Sequence, residues 1–372
     1  MAGLVGWTGE VLLLPVVMIF PALWAFAPSR TVAVSVAAAY FLSASRGLPQ
    51  GVANFYAADL LPGMLLWAAA AASFVVVHAV AWTRRPGGGR TVRYLVAAGA
   101  MAVPPFGITG WAHPLTASGV LFPGWGWWGL AATAAGLGAM TTRFWPAVAI
   151  ALAGFWIWSA AFWTPPLVPE GWHGVDLEYG QKLGRDGSLE HHRDLLAAVR
   201  EQAGEGSRVI VLPESTLGFW TPTVARLWQE GLGSSEITVI AGAVVVDADG
   251  YDNVMAMVSA DEAAILYRER MPVPVSMWQP WLQWTGQSGG ARAHFFANPV
   301  AEIGGTRIAP LICYEQLILW PALQSMLHAP DIIVATGNGW WTAGTSIIAI
   351  QRASAAAWAK LFGVPVVMAF NM

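Results

Sequence analysis

The run Arg307-Ile-Ala-Pro-Leu-Ile-Cys-Tyr-Glu-Gln316 joins an apolar segment to a cysteine, an aromatic residue and a carboxylate. Ile308 to Ile312 has the pattern of a buried strand, and the helix-like segment 317–327 follows it. Cys313 is therefore expected at a strand-to-helix turn, where the positive end of a helix favours a thiolate. It is the only cysteine in 372 residues, so no internal disulfide forms. Two interpretations stay open from this segment alone: a nucleophile, or a small buried apolar residue.

The two parts of the chain differ in polarity and charge. Hydrophobic residues make up 56% and charged residues 11% of the chain, whereas a soluble domain carries about 25% charged residues. Residues 1–165 hold seven basic and two acidic residues, and residues 166–372 hold twelve basic and twenty acidic ones. We therefore expect a transmembrane helical bundle at 1–165 and a globular domain at 166–372, joined by the proline-rich segment 164–169. The acidic balance of the second part argues against nucleic-acid binding.

Six apolar segments in the first part approach the length of about 20 residues that a membrane span needs. They lie near 8–27, 31–49, 60–82, 91–109, 119–140 and 144–164. The loop 83–93 carries four arginines, which places it in the cytoplasm by the positive-inside rule. An even number of spans then puts the N-terminus and the C-terminal domain outside, which is the periplasmic side of a bacterial inner membrane. Few ionisable residues fall within the segments, which disfavours a transporter or channel.

Strand and helix patterns alternate through the second part, which predicts a layered α/β domain. Helices are expected at 189–203, 222–230 and 346–362, and strands at 208–212, 237–246, 331–336 and 364–370. The segments 253–259 and 264–268 form an expected hairpin. Adjacent histidines, His191 and His192, point to different faces of a helix, so we expect no metal site and no cofactor.

Polar side chains follow three of the expected strands. Glu214, Arg270 and Cys313 each stand near a strand end, and such ends converge where α/β proteins bind ligands. A carboxylate takes the thiol proton, the thiolate attacks an acyl carbon, and a cation stabilises the oxyanion. Each residue also has a structural interpretation: Glu214 as a helix N-terminal acid, and Arg270 as a solvated or headgroup-binding cation.

Three motifs resemble the nitrilase, or carbon–nitrogen hydrolase, superfamily: Leu212-Pro-Glu-Ser-Thr216, Tyr267-Arg-Glu-Arg-Met-Pro-Val-Pro274 and Ile312-Cys-Tyr-Glu315. Within it the chain resembles apolipoprotein N-acyltransferase, including an Asn338-Gly-Trp-Trp341 segment. The similarity to conjugal transfer TraB proteins is closer, through the run Met271–Trp278. The resemblance implies an α-β-β-α sandwich, the nitrilase-like fold, beside a membrane bundle.

The resemblance also implies roles for individual residues. It makes Glu214 the general base, Cys313 the nucleophile and Glu315 an orienting or auxiliary acid. The family's lysine falls on Glu269 without a gap, or on Arg270 with a shift of one residue, and we expect Arg270 as the oxyanion cation. Six residues are expected to bind substrate: Tyr314, Asn338, Trp278, Trp281, Trp340 and Trp341. For the four tryptophans, packing in the core or at the membrane interface is the alternative.

Two functions follow as expectations. The first is a membrane-bound thiol acyltransferase or amidase that acts through a Cys313 thioester and is linked to plasmid conjugal transfer. Its partners would be membrane lipid, and an acyl lipid or a protein or peptide amine as substrate. The second is a catalytically inactive nitrilase-like protein that binds a lipid or a protein of the conjugation apparatus. The missing family lysine favours the second function, and the presence of Glu214 with Cys313 favours the first.

Overall fold

The computed structural model describes residues 1–109, 111–203, 206, 208–233 and 235–372. The chain divides into two compact units. The first, here called the N-terminal unit, comprises residues 1–166, 317–320 and 342–364. The second, here called the sheet unit, comprises residues 167–316, 321–341 and 365–372. Two segments that the sequence analysis places in the globular domain, 317–320 and 342–364, thus group with the N-terminal unit.

The helices of both units are numbered in chain order. They are α1 (Ala2–Gly6), α2 (Phe20–Ala25), α3 (Arg30–Ala44), α4 (Leu48–Tyr56), α5 (Leu60–Ala81), α6 (Gly88–Ala102), α7 (Ser118–Leu121), α8 (Gly126–Met140), α9 (Trp145–Phe162), α10 (Leu189–Ala203), α11 (Pro222–Leu232), α12 (Trp281–Trp284), α13 (Leu319–Met326) and α14 (Ile347–Phe362). Short 3₁₀ segments lie between them, the longest being Val11–Ile19.

The strands are numbered in the same way. They are β1 (Trp172–Gly174), β2 (Val209–Val211), β3 (Thr238–Val246), β4 (Tyr251–Val258), β5 (Ala263–Arg268), β6 (Ala301–Ile303), β7 (Thr306–Ile312), β8 (Ile332–Asn338) and β9 (Val366–Asn371). The expected helices and strands of the second part are confirmed at these positions. The short strands β1 and β6 were not expected from the sequence.

The number of membrane spans differs from the expected six. In the part of the chain that the structure describes, two helices, α5 and α9, are long and apolar enough to cross a membrane. The pair α3 and α4, bent by 48° at its break, gives a third span if the two helices count as one. The possible third span lies before the arginine-rich loop 83–93, so a count of two or three changes the expected side of the N-terminus and not that of the sheet unit. The orientation of the sheet unit stays a prediction.

Breaks in the helices explain the difference. The segment 8–27 is divided between the 3₁₀ run that contains Pro15 and the short α2. The segment 91–109 loses its helix at Ala102, ahead of Pro104 and Pro105, because proline does not continue a helix. The segment 119–140 breaks between α7 and α8. The 15 residues of α8 extend about 22 Å, less than the roughly 30 Å of a bilayer core.

The sheet unit contains two sheets. The first has the order β1-β2-β3-β4-β5, parallel from β1 to β3 and antiparallel from β3 to β5. The second has the order β6-β7-β8-β9, antiparallel at β6 and β7 and parallel from β7 to β9. Parallel β7, β8 and β9 bring the ends of all three strands to one edge, where Ile312 pairs with Thr336.

Alternating side chains build two cores on opposite faces of the first sheet. Ile210 and Val239 are paired neighbours on one face and pack with α10 and α11. Val211 and Ile240, one residue further on, face the other way and pack against apolar residues of the second sheet. This period of two is that of a strand buried on both faces. The result is a helix layer followed by two stacked sheets, the α/β arrangement that positions the site.

Candidate active site

Cys313 stands where β7 ends and a 3₁₀ turn, Cys313–Gln316, begins. Its φ of 45° lies in the left-handed region, which a residue with a side chain occupies only when its surroundings hold it there. Gln316 helps to do so, since its buried amide donates to the carbonyl of Thr336 at 2.8 Å and to that of Leu311 at 3.3 Å. Gln316 thus fastens this turn, here called the elbow, to the two neighbouring strands β7 and β8. The expected tight turn at Cys313 is present, and its role as nucleophile stays a prediction.

Glu214 occupies a corresponding position in the first sheet, three residues after β2. The next residue, Ser215, has a φ of 67°, so this turn is tight as well. The backbone of Glu214 crosses directly over Gly242 of β3, where an added Cβ would stand 2.4 Å from the Glu214 Cα. Glycine at 242 therefore permits the close approach that brings Glu214 over the sheet.

The Glu214 carboxylate is buried and held by three donors. Asn253 Nδ2 donates to Oε1 at 2.8 Å, and the Asn338 backbone N–H donates to Oε2 at 3.0 Å. The Cys313 thiol also donates to this carboxylate. Burial raises the pKa of Glu214 above its usual value, although these hydrogen bonds oppose the shift. The structure thereby brings the expected base and the expected nucleophile into contact.

Two asparagines that the sequence analysis did not assign to the base support it. Asn253 lies on β4, where a buried amide among apolar strand residues was an available signal. Asn371, on β9, donates to the Asn338 Oδ1 at 2.8 Å and to the carbonyl of Gly180 at 2.7 Å. It also accepts from the backbone N–H of Tyr179 at 3.0 Å. Asn371 therefore fixes Asn338, whose N–H in turn holds Glu214.

Glu269, just past the end of β5, lies beside the same asparagine. Its side chain is completely buried, and its Oε2 accepts from Asn253 Nδ2 at 2.8 Å. Its Oε1 is buried and has no hydrogen-bond partner among the described residues. Burial, followed by the charges of Glu315 and Glu214, raises the pKa of Glu269 well above its usual value. Of the two positions considered for the family's lysine, 269 is the one that adjoins the base.

Arg270 points into a different cluster. Its Nε donates to the Tyr267 hydroxyl at 2.8 Å. Its two terminal nitrogens donate to the side chains of Gln324 and Ser325, each at 3.0 Å, and to the Pro310 carbonyl at 3.2 Å. These contacts occupy most of its donors. An oxyanion role for Arg270 stays a prediction.

Glu315 is the acid of that cluster. Its Oε1 lies 3.7 Å from Arg270 Nε and accepts from the Tyr267 hydroxyl at 2.6 Å and the Arg270 backbone N–H at 2.8 Å. Its Oε2 accepts from the Ile312 backbone N–H at 2.8 Å. Burial raises the pKa of Glu315, and Arg270 opposes the shift. Glu315 thus ties β7 and its elbow to the end of β5; an orienting or auxiliary acid role in catalysis stays a prediction.

Of the aromatic residues expected to bind substrate, one is connected to the support of Glu214 and the others have separate contacts. Trp341 Nε1 donates to the Asn338 carbonyl at 3.1 Å, which connects it to the Glu214 support. The Arg185 guanidinium lies over the Trp340 ring at 5.1 Å, and Trp278 packs edge-on against Phe295 at 5.6 Å. Burial raises the pKa of Tyr314, and Trp281 begins α12. A substrate-binding role for these side chains stays a prediction.

Comparisons with known proteins agree with this geometry. The carbon–nitrogen hydrolase family matches residues 42–360. The chain is 70% identical to the conjugal transfer protein TraB of Agrobacterium fabrum, over 99% of this chain and 90% of that protein. It is 64% identical to a probable conjugal transfer protein TraB of Sinorhizobium fredii, over 99% of this chain and 95% of that protein.

Among solved structures, an amidase of the nitrilase superfamily from Nesterenkonia AN1 is similar with a TM-score of 0.34 and 12% identity, over 46% of this chain and 68% of that one. No residue role is transferred from so distant a structure. The motifs around Glu214 and Cys313, the family match over most of the chain and the two highly similar relatives lead to one conclusion. The chain belongs to the carbon–nitrogen hydrolase family, within the group of conjugal transfer TraB proteins.

Proposed function

We propose that this carbon–nitrogen hydrolase family member is a membrane-bound thiol acyltransferase or amidase that acts through a thioester on Cys313. The observation that carries the proposal is the hydrogen bond from the Cys313 thiol to the buried Glu214 carboxylate. A nucleophile within hydrogen-bond reach of a base, with the base oriented by further groups, is the arrangement that covalent catalysis needs. Asn253 and the Asn338 N–H supply that orientation.

The chemistry uses one base twice. Glu214 accepts the thiol proton as the Cys313 sulfur bonds to the acyl carbon, and the carbonyl electron pair moves onto oxygen. The carbonyl re-forms as the bond to the leaving group breaks, and Glu214 returns the proton to that group. An amine or water then attacks the thioester, Glu214 accepts its proton, and the thiolate leaves and recovers the proton. A pKa of Glu214 raised by burial suits a base that works near neutral pH.

The substrate and setting follow from the apolar helices and from the relatives. α5 and α9 supply the membrane attachment, so the proposed acyl donor is a membrane lipid and the acceptor a protein or peptide amine, or water. The arginine-rich loop 83–93 supports an inner-membrane location with the sheet unit in the periplasm. Activity of a cytoplasm-only reporter fused after Met372 would contradict that orientation. The names of the two relatives support a role in conjugal transfer. The partners in this proposal are proteins of the conjugation apparatus, and nucleic acid is not among them.

The test is acylation of Cys313. The full chain, purified in detergent, is incubated with p-nitrophenyl butyrate, quenched in acid and weighed intact. We expect the mass of one butyryl group, released by neutral hydroxylamine as a thioester is, and no adduct on Cys313→Ala. A wild-type protein that never acquires the adduct would support the inactive, ligand-binding alternative, which the missing family lysine favours.

A further inference from the structure

Three buried carboxyl groups lie in the candidate site and in the neighbouring polar cluster, and one buried guanidinium lies beside one of them. Glu214, Glu269 and Glu315 are each at most 5% exposed, and Arg270 is fully buried beside Glu315. Burying an uncompensated charge is costly, so a buried acid without a cation or several donors takes the neutral form. Arg270 compensates one carboxylate, which leaves two acids to be distinguished by their hydrogen bonds.

The donors are divided unequally between those two acids. Glu214 accepts from Asn253, the Asn338 N–H and the Cys313 thiol. Glu269 accepts from Asn253 alone, and its Oε1 is buried with no partner in the described part of the chain. Hydrogen bonds to the charged form stabilise a carboxylate. Glu214 is therefore the better anion, and Glu269 is the acid that keeps a proton.

The two carboxyl groups are also close. Asn253 Nδ2 donates to Glu214 Oε1 and to Glu269 Oε2, each at 2.8 Å. Two bonds of 2.8 Å to one nitrogen hold these oxygens within about 5.6 Å of each other. At that separation two negative charges disfavour each other. If the proton of Glu269 is on Oε1, this buried O–H group has no acceptor among the described residues. The same carboxyl group adjoins Glu214, the base that contacts Cys313.

We propose that Glu269 is a neutral carboxylic acid that takes the place of the family's lysine and donates a hydrogen bond from Oε1 to the oxyanion formed beside Cys313. This inference rests on the proposed function. Glu269 transfers no proton in this step. The carbonyl electron pair moves to oxygen as the sulfur–carbon bond forms, and the O–H group of Glu269 donates a hydrogen bond to that oxyanion. The pair re-forms the carbonyl when the leaving group departs. A carboxylic acid kept neutral by an apolar site donates such a hydrogen bond in ketosteroid isomerase.

Two substitutions separate a neutral donor from other roles. Glu269→Gln keeps the size and an N–H donor but cannot ionise, and Glu269→Met has a similar length and no donor. With p-nitrophenyl butyrate as the probe, we expect acylation of Cys313 to fall by about 10²–10³-fold in Glu269→Met and by less than about tenfold in Glu269→Gln. Glu302→Gln, whose side chain is 68% exposed, should match the wild type.

The pH dependence adds a readout that a purely structural role would not change. As pH rises and Glu269 ionises, the wild type loses its donor, whereas the glutamine does not titrate. The rate of Glu269→Gln relative to the wild type should therefore rise with pH. A rate of Glu269→Met equal to that of the wild type overturns the inference and leaves the proposed function intact. A rate of Glu269→Gln as low as that of Glu269→Met shows that the anion is required, and overturns it too.

A spectroscopic measurement tests the inference without activity. The infrared spectrum of the wild type at pH 7 should contain a protonated-carboxyl band that is missing from Glu269→Gln. If the wild type never acylates but shows this band, the proposed function fails and the neutral state of Glu269 stands. If the two spectra are identical in this region, Glu269 is ionised and the inference fails, whatever the acylation result.

Discussion

Two groups of buried polar residues in the sheet unit differ in how completely they are hydrogen-bonded. In the first, here called the closed cluster, Tyr267, Arg270, Glu315, Gln324 and Ser325 satisfy one another. The second, here called the open cluster, consists of Glu214, Asn253, Glu269, Cys313 and Asn338. Two of its buried oxygens, Asn253 Oδ1 and Glu269 Oε1, have no hydrogen-bond partner among the residues that the structure describes. Buried polar atoms are normally paired, so an unpaired one calls for an explanation.

The two clusters are adjacent along the chain. Glu269 belongs to the open cluster and the next residue, Arg270, to the closed one, since successive side chains of an extended chain point in opposite directions. Cys313 and Glu315 lie two positions apart in the 3₁₀ turn Cys313–Gln316, where two residues rotate the side-chain direction by about 240°, so they too enter different clusters. The closed cluster therefore connects the two sheets through hydrogen bonds that are already satisfied, while the open cluster keeps hydrogen-bonding capacity for a reacting group.

The largest expected effect is in the open cluster. Glu214→Gln keeps the shape of the side chain and removes the base, so acylation of Cys313 should fall by about 10²–10⁴-fold. Stopped-flow detection of p-nitrophenol release measures this rate. The glutamine has one acceptor oxygen, so it keeps only one of the two bonds from Asn253 and the Asn338 N–H. The urea midpoint is therefore measured beside the rate, to show that the variant is still folded under the assay conditions. An unchanged rate would remove Glu214 from the mechanism.

A substitution in the closed cluster should lower the free energy of unfolding. Arg270→Met leaves Glu315 buried without its cation, and removal of one partner of a buried pair costs about 3–5 kcal/mol. Urea unfolding of the sheet unit, followed by tryptophan fluorescence, measures the loss, and a second substitution, Glu315→Gln, should recover part of it. Arg307→Met is the matched control at an exposed pair. If Arg270→Met were as stable as the wild type yet failed to acylate, Arg270 would be the oxyanion cation that the sequence suggested.

The smallest effect is a pH dependence of stability. Burial raises the pKa of Glu269 above the 4.5 of an ordinary glutamate, so the folded chain binds this proton more tightly than the unfolded chain. The resulting stability is fully present below the unfolded pKa and is lost as pH rises through the folded pKa, by at most about 1.4 kcal/mol per pH unit for one group. Glu269→Gln should lessen that decline in a series of urea titrations. An equally steep decline in the variant would show that Glu269 does not hold the proton.

The sequence was informative where local chemistry decides the structure. The helix at 222 begins at Pro222 after Thr221, whose hydroxyl accepts from the Val224 N–H at 3.2 Å, as the capping pattern indicates. The apolar run before Cys313 forms β7, and the elbow that follows brings the thiol to Glu214. These features depend on residues that are neighbours in the chain or on motifs that specify a turn.

Long-range geometry decided what the sequence left open. Whether 269 or 270 adjoins the base depends on which side chain reaches Asn253, a residue 16 positions away on another strand. The prediction of six spans missed helix breaks at or near prolines, because the mean hydropathy of a long window includes residues that do not continue a helix. The role of Asn371 depends on β9 lying beside β8, and no local pattern indicates that pairing.

The central claim is that Glu214 activates Cys313, and the reactivity of this sole cysteine tests it most directly. The rate of alkylation by iodoacetamide at pH 7 is measured for the native protein and for the same protein unfolded in urea, by intact mass. Base assistance predicts that native Cys313 reacts faster than the unfolded thiol, and that native Glu214→Gln loses this advantage. A native cysteine that stays unmodified while the unfolded one is alkylated, with no difference between wild type and Glu214→Gln, would contradict the account and make Cys313 a core residue.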